Sequence, residues 1–313
     1  MEASRNIAKD VEAVVTSFNQ GTMIMEAVRS LCEQTTPPAR VIIVDDGSTD
    51  EESLEVLKKV ETIFSEHLPI TLMLKSNGGV SAARNTGIAE TKTPLVLVLD
   101  GDDRLEPSYI EKVCQLLRND SCMVAASSWM QTFGVLNAVV RPCGGGLNAF
   151  LSKNCCAATH IMRRKYWEKC GGYDENMRSG FEDWEFFLSM LETEPNMQIG
   201  VVQEPLIDYR TAPASSNITS MEKRLDLMRF IIEKHLESYR NHVEDAVIGV
   251  ESTSMTRLFG WEGEIIRSMR DTQELSKVSD EFIKHPTYGD GGMAAAVRIV
   301  SSKSEMQSLN EKQ

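Results

Sequence analysis

Short apolar runs rich in β-branched residues alternate with longer amphipathic stretches through about residue 130 of the chain. Val11–Ser17, Val41–Val44, Ile70–Leu74, Leu95–Leu99 and Met123–Ser127 predict strands. Met23–Glu33, Glu51–Phe64, Ser81–Glu90 and Pro107–Leu117 predict the helices between them, each opened by a Ser, Asp or Pro start signal. This alternation is the mark of βαβ units around a mainly parallel central sheet flanked by helices, an α/β fold of the Rossmann-like kind. Leu95–Leu99 is apolar without a break, as a strand covered on both faces must be.

Beyond residue 130 the pattern loosens. Gln131 to Cys170 is irregular and contains Cys143-Gly144-Gly145-Gly146, read as a connector. Phe181–Leu191 predicts a helix with acids at its start, and short strands are expected around Ile199–Val202 and Leu206–Tyr209, where the sheet should end. From Ser220 the period becomes helical, clearest over Met221–His235, and acid-rich helices continue to about Lys284 as a unit of their own. Residues 1–219 are therefore expected to form one domain, with a nucleotide-handling half at about 8–130 and an acceptor half at 131–219. Residues 220–300 form a C-terminal helical extension, and the polar stretch 301–313 is expected to be a disordered tail.

Composition narrows the function classes. Among 313 residues, 33 Lys and Arg stand against 46 Asp and Glu, a formal charge of -13, so the basic excess that neutralises nucleic-acid phosphates is absent. Seven cysteines, odd in number and placed inside predicted elements, suit reduced packing thiols and a cytoplasmic location; Cys155-Cys156 is read as structural. Met1 to Asp10 is polar, so no secretory leader is expected, and no apolar stretch approaches the roughly 18 residues of a membrane span. Peripheral membrane contact stays open.

The chemistry clusters at strand ends. Asp100-Gly101-Asp102-Asp103 directly follows Leu95–Leu99, and in open α/β sheets ligands bind at the carboxyl edge. Grouped oxygens there suit Mg²⁺ or Mn²⁺, which can hold a diphosphate, although Asp also serves as turn residue or N-cap. Asp45-Asp46-Gly47-Ser48-Thr49-Asp50 follows Val41–Val44 in the same way, and could bond a base or ribose or simply cap a turn. Arg84, on a small-residue helix after Asn77-Gly78-Gly79, suits a diphosphate or a salt bridge to a nearby acid. Glu182-Asp183 offers a general base in Asp183, with burial beside Phe181 and Trp184 raising its pKa, or merely complements a helix dipole.

Taken in order, Val14-Val15-Thr16-Ser17-Phe18-Asn19, Val44 through Asp50, Asn77 through Gly87, Leu99 through Asp103, Gly171-Gly172-Tyr173-Asp174-Glu175 and Glu182-Asp183-Trp184-Glu185 resemble the family 2 glycosyltransferases, inverting nucleotide-sugar enzymes of the GT-A fold. The resemblance spans about 170 residues. It implies that Asp46, with Asp45, contacts the nucleobase, that Asp100 meets the ribose, that Asp102 holds the metal on the donor diphosphate, and that Arg84 lies beside it. Asp183 falls on the family's base position. Glu182, Trp184, His160 and Arg210 are further candidates for acceptor or donor contacts; His160 and Arg210 have equally plain structural readings. The Gln-x-x-Arg-Trp element of processive members is not found, so transfer of a single sugar is expected.

The expectation is thus a cytoplasmic, non-processive glycosyltransferase using a UDP-sugar, Mn²⁺ or Mg²⁺, and an acceptor that is a glycan, lipid-linked intermediate, peptide or small molecule. A catalytically silent sugar-nucleotide-binding scaffold and a nucleotidyltransferase are the alternatives. The C-terminal helices could build a homo-oligomer.

Overall fold

In the computed structural model the described residues are 7–212, 220–268 and 280–310. Strands run at Ala8–Ser17 (β1), Pro38–Asp45 (β2), Ile70–Leu74 (β3), Leu95–Asp100 (β4), Arg104–Leu105 (β5), Met123–Gly134 (β6), Val139–Val140 (β7), Gly145–Gly146 (β8), His160–Arg163 (β9) and Gln198–Thr211 (β10). The sheet order is β3-β2-β1-β4-β9-β6-β10-β5. β3, β2, β1 and β4 are parallel, with Ser17 opposite Asp45 and Thr16 opposite Asp100, so the two acidic clusters leave the sheet at one edge. Helices occupy Met23–Cys32 (α1), Glu51–Phe64 (α2), Val80–Glu90 (α3), Tyr109–Asn119 (α4), Leu147–Phe150 (α5), Arg164–Cys170 (α6) and Glu182–Leu191 (α7).

Two features depart from the pattern in the sequence. β9 falls within the irregular stretch 131–170, where no strand was expected, and inserts antiparallel between β4 and β6. Four residues are too few for a periodic signal; their strand state is fixed by neighbours on both sides. The two short strands expected at 199–202 and 206–209 are one strand, β10, whose pairing with β6 slips around Pro205. Proline has no N–H for the ladder, so the slip stands where the apolar pattern is interrupted.

The apolar core lies in two layers. One face of the sheet, with Val15, Ile43 and Leu97, packs on α1, α2 and α4; the other, with Val14, Val44 and Val98, packs on α3 and α7. The extension continues as Arg224–Lys234 (α8), Leu236–Asn241 (α9), Val243–Ser268 (α10) and Gly292–Asn310 (α11). The helix expected over Met221–His235 ends at Lys234, before His235, which pairs with Glu192 at 2.8 Å. The extension contributes to both layers: Leu227, Ile231 and Ala246 to the α7 side, Met293, Ala296 and Val297 to the other. The stretch from 301 expected to fray carries α11 on to Asn310, since Ser, Lys, Glu, Met and Gln are compatible with a helix that is already propagating. No helix among the described residues is long and apolar enough to cross a membrane.

Close packing of α3 on the sheet depends on Gly87, where an added Cβ would stand 2.4 Å from Val14 Cγ1 and 3.0 Å from Val44 Cγ2. Helix propensity alone would favour alanine by about 1 kcal/mol. Both valines are fully buried and cannot yield, so overpacking wins. Gly87→Ala should lower unfolding free energy by about 1–2 kcal/mol in urea titration; unchanged or increased stability would show that the helix can lift.

Candidate active site

A cavity of about 690 Å³ opens at the carboxyl edge of β1, β2 and β4, and Asp46, Arg84, Asp100, Asp102, Glu182, Asp183 and Trp184 all line it. Asp45 and Arg210 lie behind the wall, and His160 is in the core.

The acids at the strand ends have definite partners. Asp45 accepts from Ser48 N at 3.0 Å and Ser48 Oγ at 2.5 Å, which closes the turn after β2. Asp46 accepts from Gly78 N at 2.9 Å, Gly79 N at 2.7 Å and Lys75 Nζ at 2.7 Å, fixing the glycine loop before α3. Asp100 accepts from Thr16 Oγ1 at 3.1 Å. Gln20 Nε2 lies 3.4 Å from Asp102 Oδ1.

Arg84 does not reach into the cavity as an open diphosphate ligand. It is 1% exposed, and its guanidinium bridges Asp100 (Nη2 to Oδ1 2.9 Å, to Oδ2 3.0 Å) and Glu182 (Nη1 to Oε1 2.9 Å), with Cζ 5.3 Å from the Tyr173 ring centre. Full burial beside two carboxylates dictates this: an unpaired guanidinium there would cost several kcal/mol. Arg178, exposed beside Gly79 and without an ion pair among the described residues, is a cation left uncommitted on the rim, where Lys223 also stands and donates to Ser179 Oγ at 3.1 Å.

Arg210 is likewise engaged. Its Nε donates to the Asp102 carbonyl at 2.9 Å, its Nη2 to Glu26 at 2.8 Å, and its backbone N–H to Asp103 Oδ1 at 2.8 Å. It braces the acidic turn from behind. His160 is 0% exposed, donates from Nδ1 to Ala158 O at 2.7 Å and packs edge-on against Phe187. Burial lowers its pKa to about 4, so it is a neutral core residue with no acceptor contact.

Asp183 is half-buried in the first turn of α7. The turn that delivers it runs through Gly180 at φ +107° and Phe181 at φ +64°, a left-handed conformation rare for a bulky side chain and typical of strain kept at functional sites. Phe181 is held there by Trp184, whose ring centre is 5.3 Å away and whose indole N–H donates to Phe150 O at 2.7 Å. Asp183 accepts from Trp184 N at 2.8 Å and from Asn154 Nδ2 at 2.9 Å. Burial and the neighbouring Glu182 charge push its pKa up to about 7 against the pull of Arg84 and these two donors.

Asn154 is a site residue that the sequence did not disclose; it sits in the irregular stretch with no motif around it, and only the fold brings it 29 positions along to Asp183. Gln20, Lys75 and Arg178 are likewise site residues that the sequence did not single out.

The acids can be weighed against a metal. Among the described residues no three His, Cys, Asp or Glu side chains converge as a self-contained cage. Among the described residues Asp102 nevertheless has no ion-pair partner, and burial and the Asp100 charge raise its pKa to about 6. Asp103 behind it is raised further, by burial and by Asp102. This excess of buried negative charge is the kind a cation relieves, and Mg²⁺ commonly takes one or two carboxylates with the remaining oxygens from phosphates and water. The donor set fits such an ion.

The sequence model of glycosyl transferase family 2 matches residues 12–166. Residues 12–166 are a family 2 glycosyltransferase domain. An uncharacterized glycosyltransferase of Haemophilus influenzae is 26% identical over 241 residues, covering 73% of this chain and 79% of that protein. A chondroitin synthase of Pasteurella multocida is 27% identical over 193 residues, 58% of this chain but 19% of its own length. The fold of the glycosyltransferase is similar to that of S. aureus TarS 1–349 in complex with UDP-GlcNAc, with TM-score 0.59, 18% identity, and 75% and 69% of the two chains covered.

Removing the Arg84 guanidinium leaves two carboxylates facing each other across a buried gap. Arg84→Ala should lose about 3 kcal/mol of stability in denaturant unfolding, and Arg84→Lys most of that, since one ammonium cannot hold both acids in a planar fork. A stable Arg84→Ala protein would show that the acids separate freely.

Proposed function

We propose that the glycosyltransferase moves a single sugar from a UDP-sugar to an acceptor hydroxyl or similar nucleophile with inversion, Asp183 acting as general base and Asp102 holding a divalent cation. The observation that carries the reading is the half-buried Asp183 carboxyl, shifted to about 7, in the same cavity as Asp46, Asp100 and Asp102. A base poised near neutral pH takes a hydroxyl proton efficiently.

The residues divide the work by position. The nucleotide lies at the β1–β2 end, where Asp46 and the fixed loop 77–79 meet the base and ribose, with Asp100 held by Arg84 for a ribose hydroxyl. The diphosphate lies over the β4 turn, with Arg178 on the rim and Asp102 below. A bound Mg²⁺ or Mn²⁺ would offset charge on the departing diphosphate. Asp183, on the first turn of α7 and lining the same cavity, would deprotonate a hydroxyl that attacks the anomeric carbon from the side away from the nucleotide, and one such displacement inverts the configuration. The choice of UDP is supported by the TarS structures of similar fold, which are complexes with UDP and with UDP-GlcNAc. The acceptor class stays open among glycan, lipid-linked intermediate, peptide and small molecule.

Calorimetric titration with UDP and GDP, each with Mn²⁺ and with EDTA, tests the donor half: UDP should bind with metal and lose affinity in EDTA or in Asp102→Ala. Binding of neither nucleotide would sink it. Product analysis follows, since released UDP supports transfer, released pyrophosphate indicates a nucleotidyltransferase, and binding without turnover indicates a silent sugar-nucleotide-binding protein. Asp183→Asn should keep UDP affinity and lose at least about 100-fold in kcat. The carboxylate form is the active one and its pKa is raised, so wild-type kcat should hold above pH 7 and fall about tenfold per pH unit below it; a profile flat to pH 5 would remove Asp183 from the role.

A further inference from the structure

Residues 287–293 lie well past the family-matched stretch, yet Tyr288, Gly289, Gly291 and Met293 line the same cavity as Asp183. The segment is a closed strap. Thr287 Oγ1 and Gly292 N both donate to Asp290 Oδ1, at 2.8 and 2.9 Å, and Met293 N donates to Thr287 O at 3.1 Å. Met293, Ala296 and Val297 anchor its far end in the core.

Its two contacts with the catalytic wall fall on either side of one amide. Tyr288 Oη donates to Cys156 O at 2.8 Å. Gly289, at φ +78°, lies so close on Asn154 that an added Cβ would stand 2.0 Å from its carbonyl oxygen and 3.0 Å from its nitrogen. Between these contacts Asn154 Oδ1 accepts from Cys156 N at 3.1 Å, which fixes the amide orientation and leaves Nδ2 to donate to Asp183. A mere cover would need apolar area and would not require a left-handed glycine seated on backbone.

From this juxtaposition we infer that the strap Thr287–Met293 is a positioning element that sets the Asp183 carboxylate through Asn154. The inference deepens the reading of Asp183 as base and rests on it for its catalytic meaning. The groups facing Asp183 are Glu182, Arg84, Cys156, Tyr173, Tyr209 and Tyr288. Burial keeps the thiol and the three phenols protonated, so none of them titrates in the same range.

The test is the titration of Asp183 itself, followed by carbon NMR in full-length protein labelled at aspartate Cγ, with the resonance assigned by its loss in Asp183→Asn. Asn154→Ala removes a donor to the charged form and should make Asp183 about a tenfold weaker acid. Gly289→Ala should displace the titration as well, and the double variant should titrate like Asn154→Ala alone, because the strap acts through that amide. A wild-type titration in Gly289→Ala, or a displacement that adds in full to that of Asn154→Ala, would overturn the inference. If Gly289→Ala does not melt cooperatively, Tyr288→Phe, which loses one hydroxyl, is judged by the same criteria. Turnover of Asp183→Asn at the wild-type rate would refute the base while leaving the strap to be judged by NMR; an inactive Asp183→Asn with wild-type titration in the strap variants would refute the strap alone.

Discussion

The buried guanidinium of Arg84 is the constraint on which the site depends. It lies on α3, beneath the cavity, and ties Asp100 at the end of β4 to Glu182 at the start of α7. One side chain thereby fixes the spacing between the half of the pocket built on parallel strands and the wall that carries Asp183. Its position follows from packing: α3 is drawn onto the sheet by small residues at Ala83 and Gly87, so a long side chain at 84 has only the interior to enter. Once there it must be paired, and the two acids that pair it become parts of the site.

The same economy explains why several polar residues are absent from the cavity. Asp45, Arg210 and His160 are committed to a turn, a brace and the core respectively. Each secures the backbone that presents a neighbour: Asp45 the turn that carries Asp46, Arg210 the turn that carries Asp102. The groups left facing solvent are few, and the excess is negative. On the proposed reading, a polyanionic nucleotide would need added positive charge in such a pocket, and Arg178 and Lys223 on the rim or a metal at Asp102 would supply it.

The C-terminal helices alter the picture of a catalytic domain with an appendage. α8 is held against α7 by His235 and Lys234 on Glu185 and Glu192, and the strap at 287–293 returns over the cavity. The later segments thus join Arg84, Tyr173 and Tyr209 around Asp183, which sits among residues of 154–156, 181–184 and 287–293.

The sequence by itself determined the βαβ order, the strand ends at Asp45 and Asp100, the helix that opens with Glu182-Asp183, and the family, because runs of apolar residues and short ordered motifs record local structure and chemistry directly. It did not determine β9, the single long β10, or the partners of Arg84, Arg210 and His160. Four residues of β9 become a strand only between β4 and β6, and a charge written at one position is spent or free according to what stands across the fold. Asn154 and Tyr288 carry no local signal at all; tertiary packing alone brings them to Asp183, since a hydrogen bond across 29 residues or a strap from the far end of the chain exists only when every intervening element is in place.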